Sequence, residues 1–216
     1  MRAIAFFTFG ALISFLPACD LVGVRGNRHI VTDQRPITEF SEIHVNGGAF
    51  KIEWQSGPPS LSVTTDENLL PYIDSRKLDN RLELRTRERI RPSHGVKVTV
   101  SSPMRLGAKL SGASDLSVHA LSGSKFFFES TGATDVTLDG TVDKLLADMT
   151  GASDLKAGDL QAKTVEVSTT GAASASVRAS DTLRVAITGA GDVTYSGNPK
   201  TLEKHITGAG SIRHKE

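Results

Sequence analysis

One cysteine, eight prolines and one tryptophan in 216 residues exclude several common architectures. A single cysteine permits neither an intrachain disulfide nor a zinc site built on cysteine pairs. So few prolines beside 20 glycines do not make collagen or a low-complexity linker. Charge of one sign is missing too: 25 Lys and Arg face 24 Asp and Glu, so nothing draws the chain generally toward nucleic acid. Aromatics are scarce. Of nine Phe, two Tyr and one Trp, four Phe fall within the first 19 residues. The remainder of the core must therefore be built from many aliphatic side chains in a regular stack.

The longest apolar run, residues 4–16, is too short to span a bilayer comfortably but has the length of a signal-peptide core, and Arg2 gives it a positive start. It ends in Leu16-Pro17-Ala18-Cys19, which resembles a bacterial lipobox. On that reading residues 1–18 are removed, Cys19 is acylated, and the membrane is a partner through the lipid. Two or three acyl chains anchor stably, since each buried CH₂ contributes about 0.8 kcal/mol. The other reading is an ordinary secretory signal with an incidental cysteine. Residues 19–36 read as anchor and tether, with Gly23, Gly26 and Asn27 and no periodicity.

What is present in quantity is a repeat. Ser111-Gly-Ala-Ser-Asp-Leu is followed by Thr131-Gly-Ala-Thr-Asp-Val, Thr150-Gly-Ala-Ser-Asp-Leu, Thr170-Gly-Ala-Ala-Ser-Ala, Thr188-Gly-Ala-Gly-Asp-Val and Thr207-Gly-Ala-Gly-Ser-Ile. Its glycines, Gly112, Gly132, Gly151, Gly171, Gly189 and Gly208, are separated by 20, 19, 20, 18 and 19 residues. Before each corner the apolar columns alternate with polar ones: Leu106, Phe126, Leu145, Val165, Leu183, Leu202, and two places on Ala108, Phe128, Ala147, Val167, Val185, Lys204. A second alternating stretch follows, with Leu116, Val136, Leu155, Ala175, Val193 and Ile212. Period two marks strands with one face buried. A single repeat cannot bury its own apolar face, whereas stacking like on like at about 4.8 Å per step can. The expected fold is all-β: a single-stranded, right-handed parallel β-helix with coils of about 19 residues. The corner glycines are expected to serve turns with φ > 0, which cost glycine little.

Residues 37–100 are less regular. Strand-like segments at Glu42-Ile-His-Val45, Phe50-Lys-Ile-Glu-Trp54, Leu61-Ser-Val63, Arg81-Leu-Glu-Leu-Arg85 and Val96-Lys-Val-Thr-Val100 are separated by turn signals, and residues 66–73 read as a loop or one helical turn. These are expected to be longer, decorated coils that start and cap the solenoid, giving one domain over residues 37–216.

Phe40-Ser-Glu-Ile-His-Val, Asn68-Leu-Leu, the Arg81-Leu-Glu-Leu strand, the Ser/Thr-Gly-Ala-x-Asp repeats and Tyr195-Ser-Gly-Asn-Pro199 together resemble the head GIN domain family over residues 37–212. The resemblance implies a right-handed β-helix in a bacterial lipoprotein or secreted protein, labelled an auto-transporter adhesin, with no established reaction. At Thr170-Gly-Ala-Ala-Ser-Ala the usual acidic residue is absent.

Four residues after each corner Ser or Thr stand Asp115, Asp135, Asp154, Ser174, Asp192 and Ser211. Stacked, the aspartates form a ladder that reads either as a Ca²⁺ or glycan site or as side chains bonded to backbone amides of their own turns. Residues 76–91 carry Arg76, Lys77, Arg81, Arg85, Arg87, Arg89 and Arg91 against Asp79, Glu83 and Glu88, which reads as an anion-contacting patch or as a solvated strand face. Six scattered histidines lack metal-ligand spacing, no nucleophile elbow occurs, and Trp54 reads as core. No cofactor, no metal ligand set and no catalytic residue is expected. The chain reads as a lipid-anchored protein of the bacterial cell envelope that binds or scaffolds a glycan or an envelope protein. Adhesion is the version the resemblance implies; a periplasmic envelope-maintenance protein and a carbohydrate-active β-helix enzyme are the alternatives.

Overall fold

Period-two alternation and like-on-like stacking generate a parallel β-solenoid in the computed structural model, which describes residues 23–215. The expected signal peptide and Cys19 lie outside the described residues. In chain order the strands are β1 (Val24–Arg25), β2 (Ile30–Gln34), β3 (Glu42–Asn46), β4 (Phe50–Ser56), β5 (Ser60–Asp66), β6 (Ile73–Leu78), β7 (Arg81–Thr86), β8 (Ile90–Arg91) and β9 (Val96–Ser102). The coils proper follow as β10 (Gly107–Gly112), β11 (Asp115–Gly132), β12 (Asp135–Gly151), β13 (Asp154–Gly171), β14 (Ser174–Gly189), β15 (Asp192–Ser196), β16 (Thr201–Gly208) and β17 (Ser211–His214). Residues 67–72 form a short 3₁₀ turn.

From β10 onward each coil pairs in parallel with the next, and the repeat columns lie in register: Gly112 with Gly132, Gly132 with Gly151, Gly151 with Gly171, and Gly171 with Gly189. The two limbs of a coil were expected as separate short strands. In the middle coils they run on through the return segment as one bent strand of 16 to 18 residues. The backbone ladder continues there because the return segments also stack, and a local slip absorbs each change of coil length. Val118 pairs with Leu138, but Leu121 already pairs with Gly140, which converts a step of 20 into one of 19.

The N-terminal region stacks in an order that differs from its order in the chain. β3 and β4 lie directly beneath β10 and the first limb of β11. β7 and β9, later in sequence, lie on the other side of β3 and β4, again in parallel. The chain then crosses back, and the amide of Leu106 bonds the carbonyl of Ser41 at 2.7 Å. Antiparallel strands close this end: β6 pairs with β7, β5 with β9, and β2 with β5. Among the described residues strand pairing starts at Val24, inside the stretch read from the sequence as tether, because β1 pairs with β8.

Bulk is distributed unevenly along the axis. Trp54 is fully buried between Phe40, stacked at 5.9 Å between ring centroids, and Phe126 at 6.4 Å, and its indole N–H donates to Ser102 Oγ at 2.8 Å. Burial of such rings contributes more than their area alone. Farther along, the same interior columns narrow to Leu, Val and Ala, among them Ala147, Ala157 and Ala175.

Candidate functional site: a lateral groove on the solenoid

On the limb that precedes each corner, alternate side chains point outward and stack into columns. Phe127, Leu146, Glu166, Arg184 and Glu203 are successive register partners in one column. Lys109, Glu129, Asp148, Ser168, Ala186 and His205 form its neighbour. Together they line an open groove of about 750 Å³ running along the solenoid axis.

Most charges in the groove are paired across rungs. Lys109 meets Glu129 at 2.7 Å, Lys144 meets Glu166 at 2.9 Å, and Arg184 bridges Glu166 at 3.1 Å and Glu203 at 2.9 Å. The Lys144 hydrogen bond, reinforced by Arg184, holds the Glu166 carboxyl below its ordinary range against the opposing effect of burial. At one end the pattern turns apolar. Phe127 pairs in register with Gly107, and a methyl built on Gly107 would come within 2.3 Å of Phe127 Cδ1, 2.4 Å of Cγ and 2.5 Å of Cε1. Near-equal distances to three consecutive ring atoms put the face of the ring over the glycine. Lys109 and Lys125 stand 5.8 and 5.9 Å from the ring centroid, within cation–π range. Among the described residues, the Lys125 ammonium and the Asp148 carboxylate make no ion pair.

The aspartate ladder lies on the limb after the corner. Asp115, Asp135, Asp154, Ser174, Asp192 and Ser211 are successive register partners, and Lys51 continues the row beyond Asp115. Among the described residues no backbone amide donates to these carboxylates; Asp154 pairs with Lys156 at 3.4 Å, and Ser211 Oγ donates to Asp192. No group of three or more His, Cys, Asp or Glu among the described residues converges to hold a metal ion. A single file places at most two carboxylates at each gap between rungs, well short of the six to eight oxygens calcium takes. At the intervening corner Gly132 has φ +129°, and a Cβ there would lie 2.3 Å from the Gly112 carbonyl oxygen.

The basic stretch is largely neutralised. Arg76 and Arg81 share Glu83 at 3.0 and 3.2 Å, and Arg85 and Arg87 share Asp74 at 3.0 and 2.6 Å. The Arg87 hydrogen bond, seconded by Arg85, lowers the Asp74 pKa even though burial opposes it. The histidines stay dispersed.

Two features escaped the sequence reading. In Phe126-Phe127-Phe128 the outer two rings fill the core columns and the middle ring falls on the outward phase, a break in the polar alternation that is visible in the sequence. At the crossover Arg105 is buried and donates to the carbonyls of His119 at 2.6 Å and Ala120 at 2.7 Å. Asp139 accepts from the Ala120 amide at 2.6 Å and from His119 at 2.5 Å, which together hold its carboxyl below the ordinary range. Nothing local in the sequence marks this non-local knot.

Several crystal structures are similar in fold. A putative adhesin from Bacteroides fragilis NCTC 9343 superposes with a TM-score of 0.75 at 23% identity, over 89% of this chain and 100% of that one. A putative adhesin from Parabacteroides distasonis ATCC 8503 gives 0.59 at 20% identity, over 90% and 100%. A putative lipid binding protein from the same strain gives 0.51 at 23%, over 90% and 100%. No curated protein matches the chain. The family model described as putative auto-transporter adhesin, head GIN domain, matches residues 39–199, most of the solenoid and its cap. The chain therefore belongs to the head GIN domain family.

Proposed function

We propose that this protein is lipid-anchored through Cys19 in the bacterial cell envelope and binds a neutral, extended carbohydrate polymer along the lateral groove, in an adhesive rather than catalytic role. The observation that carries this reading is Phe127: an aromatic ring with one face on Gly107 and the groove beside it, on a surface where most of the charges are paired. Sugar C–H faces stack on such rings, and the flanking ionic side chains offer partners to hydroxyls. Five acidic and four basic side chains line the groove, a near balance that suits an uncharged polymer better than a polyanion. The rungs repeat at about 4.8 Å, a spacing comparable to one sugar of an extended chain.

Glycoside hydrolysis needs a carboxyl held protonated as acid and a second as base or nucleophile. Here Glu129, Glu166 and Glu203 are each engaged by a cation and Glu42 bonds His44, so that Asp148 is a single uncommitted carboxylate among the described groove residues where two are needed. That supports binding without turnover, and the adhesin descriptions of the family and of two structural neighbours agree with it.

Protease treatment of intact cells, beside lysed cells, tests the display. Digestion from outside is expected; protection until lysis sinks the surface role and favours a periplasmic partner. Binding to immobilised neutral polysaccharides tests the groove. Phe127→Ala should weaken it about tenfold, the ~1.4 kcal/mol of one lost aromatic contact, whereas Phe127→Tyr should retain it. Equal binding by Phe127→Ala removes the groove from the reading.

A further inference from the structure

Pairing of β1 with β8 lays the first described residues across the capped end of the solenoid: the Val24 amide bonds the Arg89 carbonyl at 2.9 Å and the Gly26 amide that of Arg91 at 3.0 Å. Between this strap and the turn after β8 lies a pocket of about 540 Å³ lined by Arg25, Gly26, Arg28, Arg91, Ser93 and His94 together with a proline. Among the described residues no carboxylate lines it. Arg25 and Arg91 are direct register partners, so two guanidinium groups issue from adjacent rungs. Among the described residues the guanidinium groups of Arg25 and Arg28 make no hydrogen bond or ion pair. This contrasts with the neighbouring Arg76, Arg81, Arg85 and Arg87, all of which are paired.

The walls are held from behind by Asp66. Its fully buried carboxylate accepts from the Arg28 amide at 2.6 Å and from the Ser93 amide and hydroxyl at 2.8 and 2.7 Å, and so ties the two rims together. Gly26 is required there, because a Cβ would lie 2.3 Å from that carboxylate. The acid is thus spent on the frame, and Arg25 and Arg28 keep their charge for an external anion. Planar guanidinium forks match phosphate oxygens two at a time.

We propose that this pocket binds the phosphate of an anionic membrane lipid headgroup. The source of the phosphate rests on the lipid-anchor reading above. Arg25 stands six positions after Cys19, so an extended chain holds the pocket within about 20 Å of the acylated cysteine. Headgroup phosphate is therefore at high effective concentration. Bound there, it fixes the capped end against the membrane and directs the solenoid axis away from it.

The full-length chain is reconstituted with vesicles of phosphatidylcholine alone or with one third phosphatidylglycerol, and vesicle flotation and amide hydrogen exchange are read together. Phosphatidylglycerol should slow exchange at Val24, Gly26 and Ser93 about tenfold, as for a site held near ten times its Kd. Arg25→Gln with Arg28→Gln should abolish the slowing, and Arg25→Lys, which keeps charge without the fork, should retain part of it. Flotation of the anchored chain on phosphatidylcholine should not change in either variant. Flotation without any phosphatidylglycerol-dependent slowing overturns the pocket while leaving the anchor. Flotation only on phosphatidylglycerol, lost in the double variant, supports the pocket and overturns the anchor. Equal slowing by inorganic phosphate on phosphatidylcholine vesicles overturns the headgroup as ligand.

Discussion

The coils from β10 to β16 and the cap from β1 to β9 use the same parallel ladder but secure it differently. In the coils each rung meets a near copy of itself, so stability is a sum of equivalent contacts between neighbours. The cap has no copies. It relies on single devices: the Trp54 stack, the β6–β7 hairpin, the buried Asp66 and the crossover through Arg105. A regular array tolerates change where a column is loose and fails where backbone meets backbone. An irregular cap fails wherever one of its buried polar groups is lost.

The corner glycines give the largest expected break. Gly132→Ala would drive a methyl to 2.3 Å from the Gly112 carbonyl oxygen at φ +129°, with another rung stacked above. The rung must part locally, and we expect a loss of about 4 kcal/mol or no soluble protein. In the cap, Gly47 also has positive φ, +72°, but a Cβ there meets nothing within 4 Å. Gly47→Ala should cost only the left-handed strain, about 1 kcal/mol. Urea midpoints of the pair measure the difference; equal losses would refute a corner dominated by backbone contact.

Next in size is Asp66. Burial works to raise its pKa, but the Ser93 amide and hydroxyl and the Arg28 amide outweigh that, and the carboxyl sits below its ordinary value. A lowered folded pKa means that Asp66 stabilises the fold above the unfolded carboxyl value of about 4, and that this contribution fades as pH falls through the lower folded value. Asp66→Ala takes the charged acceptor from the part-buried Arg28 and Ser93 amides, and we expect a loss of about 3 kcal/mol at neutral pH. The gap between wild type and variant should narrow as pH falls through that lowered folded value. A gap independent of pH would show that packing, not charge, carries the strap.

How legible these two regions were follows from the same contrast. The coils announce their register because Gly112, Gly132, Gly151, Gly171 and Gly189 recur at nearly one period, and even the slips at the return segments restate the uneven steps. The cap gives no such signal. That β7 lies outside β3, and that β10 returns to its other side, depends on pairings with no repeated column to reveal them. The aspartate ladder was legible as a row but not as chemistry, since a row fixes spacing and not convergence. Asp66 looks in sequence like any polar strand end; only the fold shows it buried against Gly26.

A smaller effect joins the groove to the strand beneath it. Gly107→Ala puts a methyl where the Phe127 ring lies, so the ring must swing out, at a cost of about 1–2 kcal/mol. Polysaccharide binding should fall with it. Restoring space by Phe127→Leu in the Gly107→Ala background should recover stability but not binding. Recovery of both would mean that Phe127 serves only to cover the glycine.

The smallest predicted effect has the opposite sign. Ser130 Oγ and Thr134 Oγ1 each lie 3.0 Å from Ser153 Oγ, a buried hydroxyl cluster beside the corners. Thr169 follows Ser130 and Met149 in the same inward column, but the positions that would serve it are Ala173 in its own corner and Gly191 one rung above. Neither carries a hydroxyl, and Thr169 Oγ1 is buried without a partner among the described residues. Thr169→Val removes an unsatisfied group while keeping its shape and should stabilise the solenoid by about 1 kcal/mol. Ser153→Ala, which strands two hydroxyls in the equivalent place, should cost about 1–2 kcal/mol. Because a coil senses only its neighbours, the two changes lie close enough to share a rung and their combination need not be additive. A double variant that matches the sum would show the hydroxyl cluster and Thr169 to be independent; a shortfall would mean that Thr169 already borrows from the cluster below it.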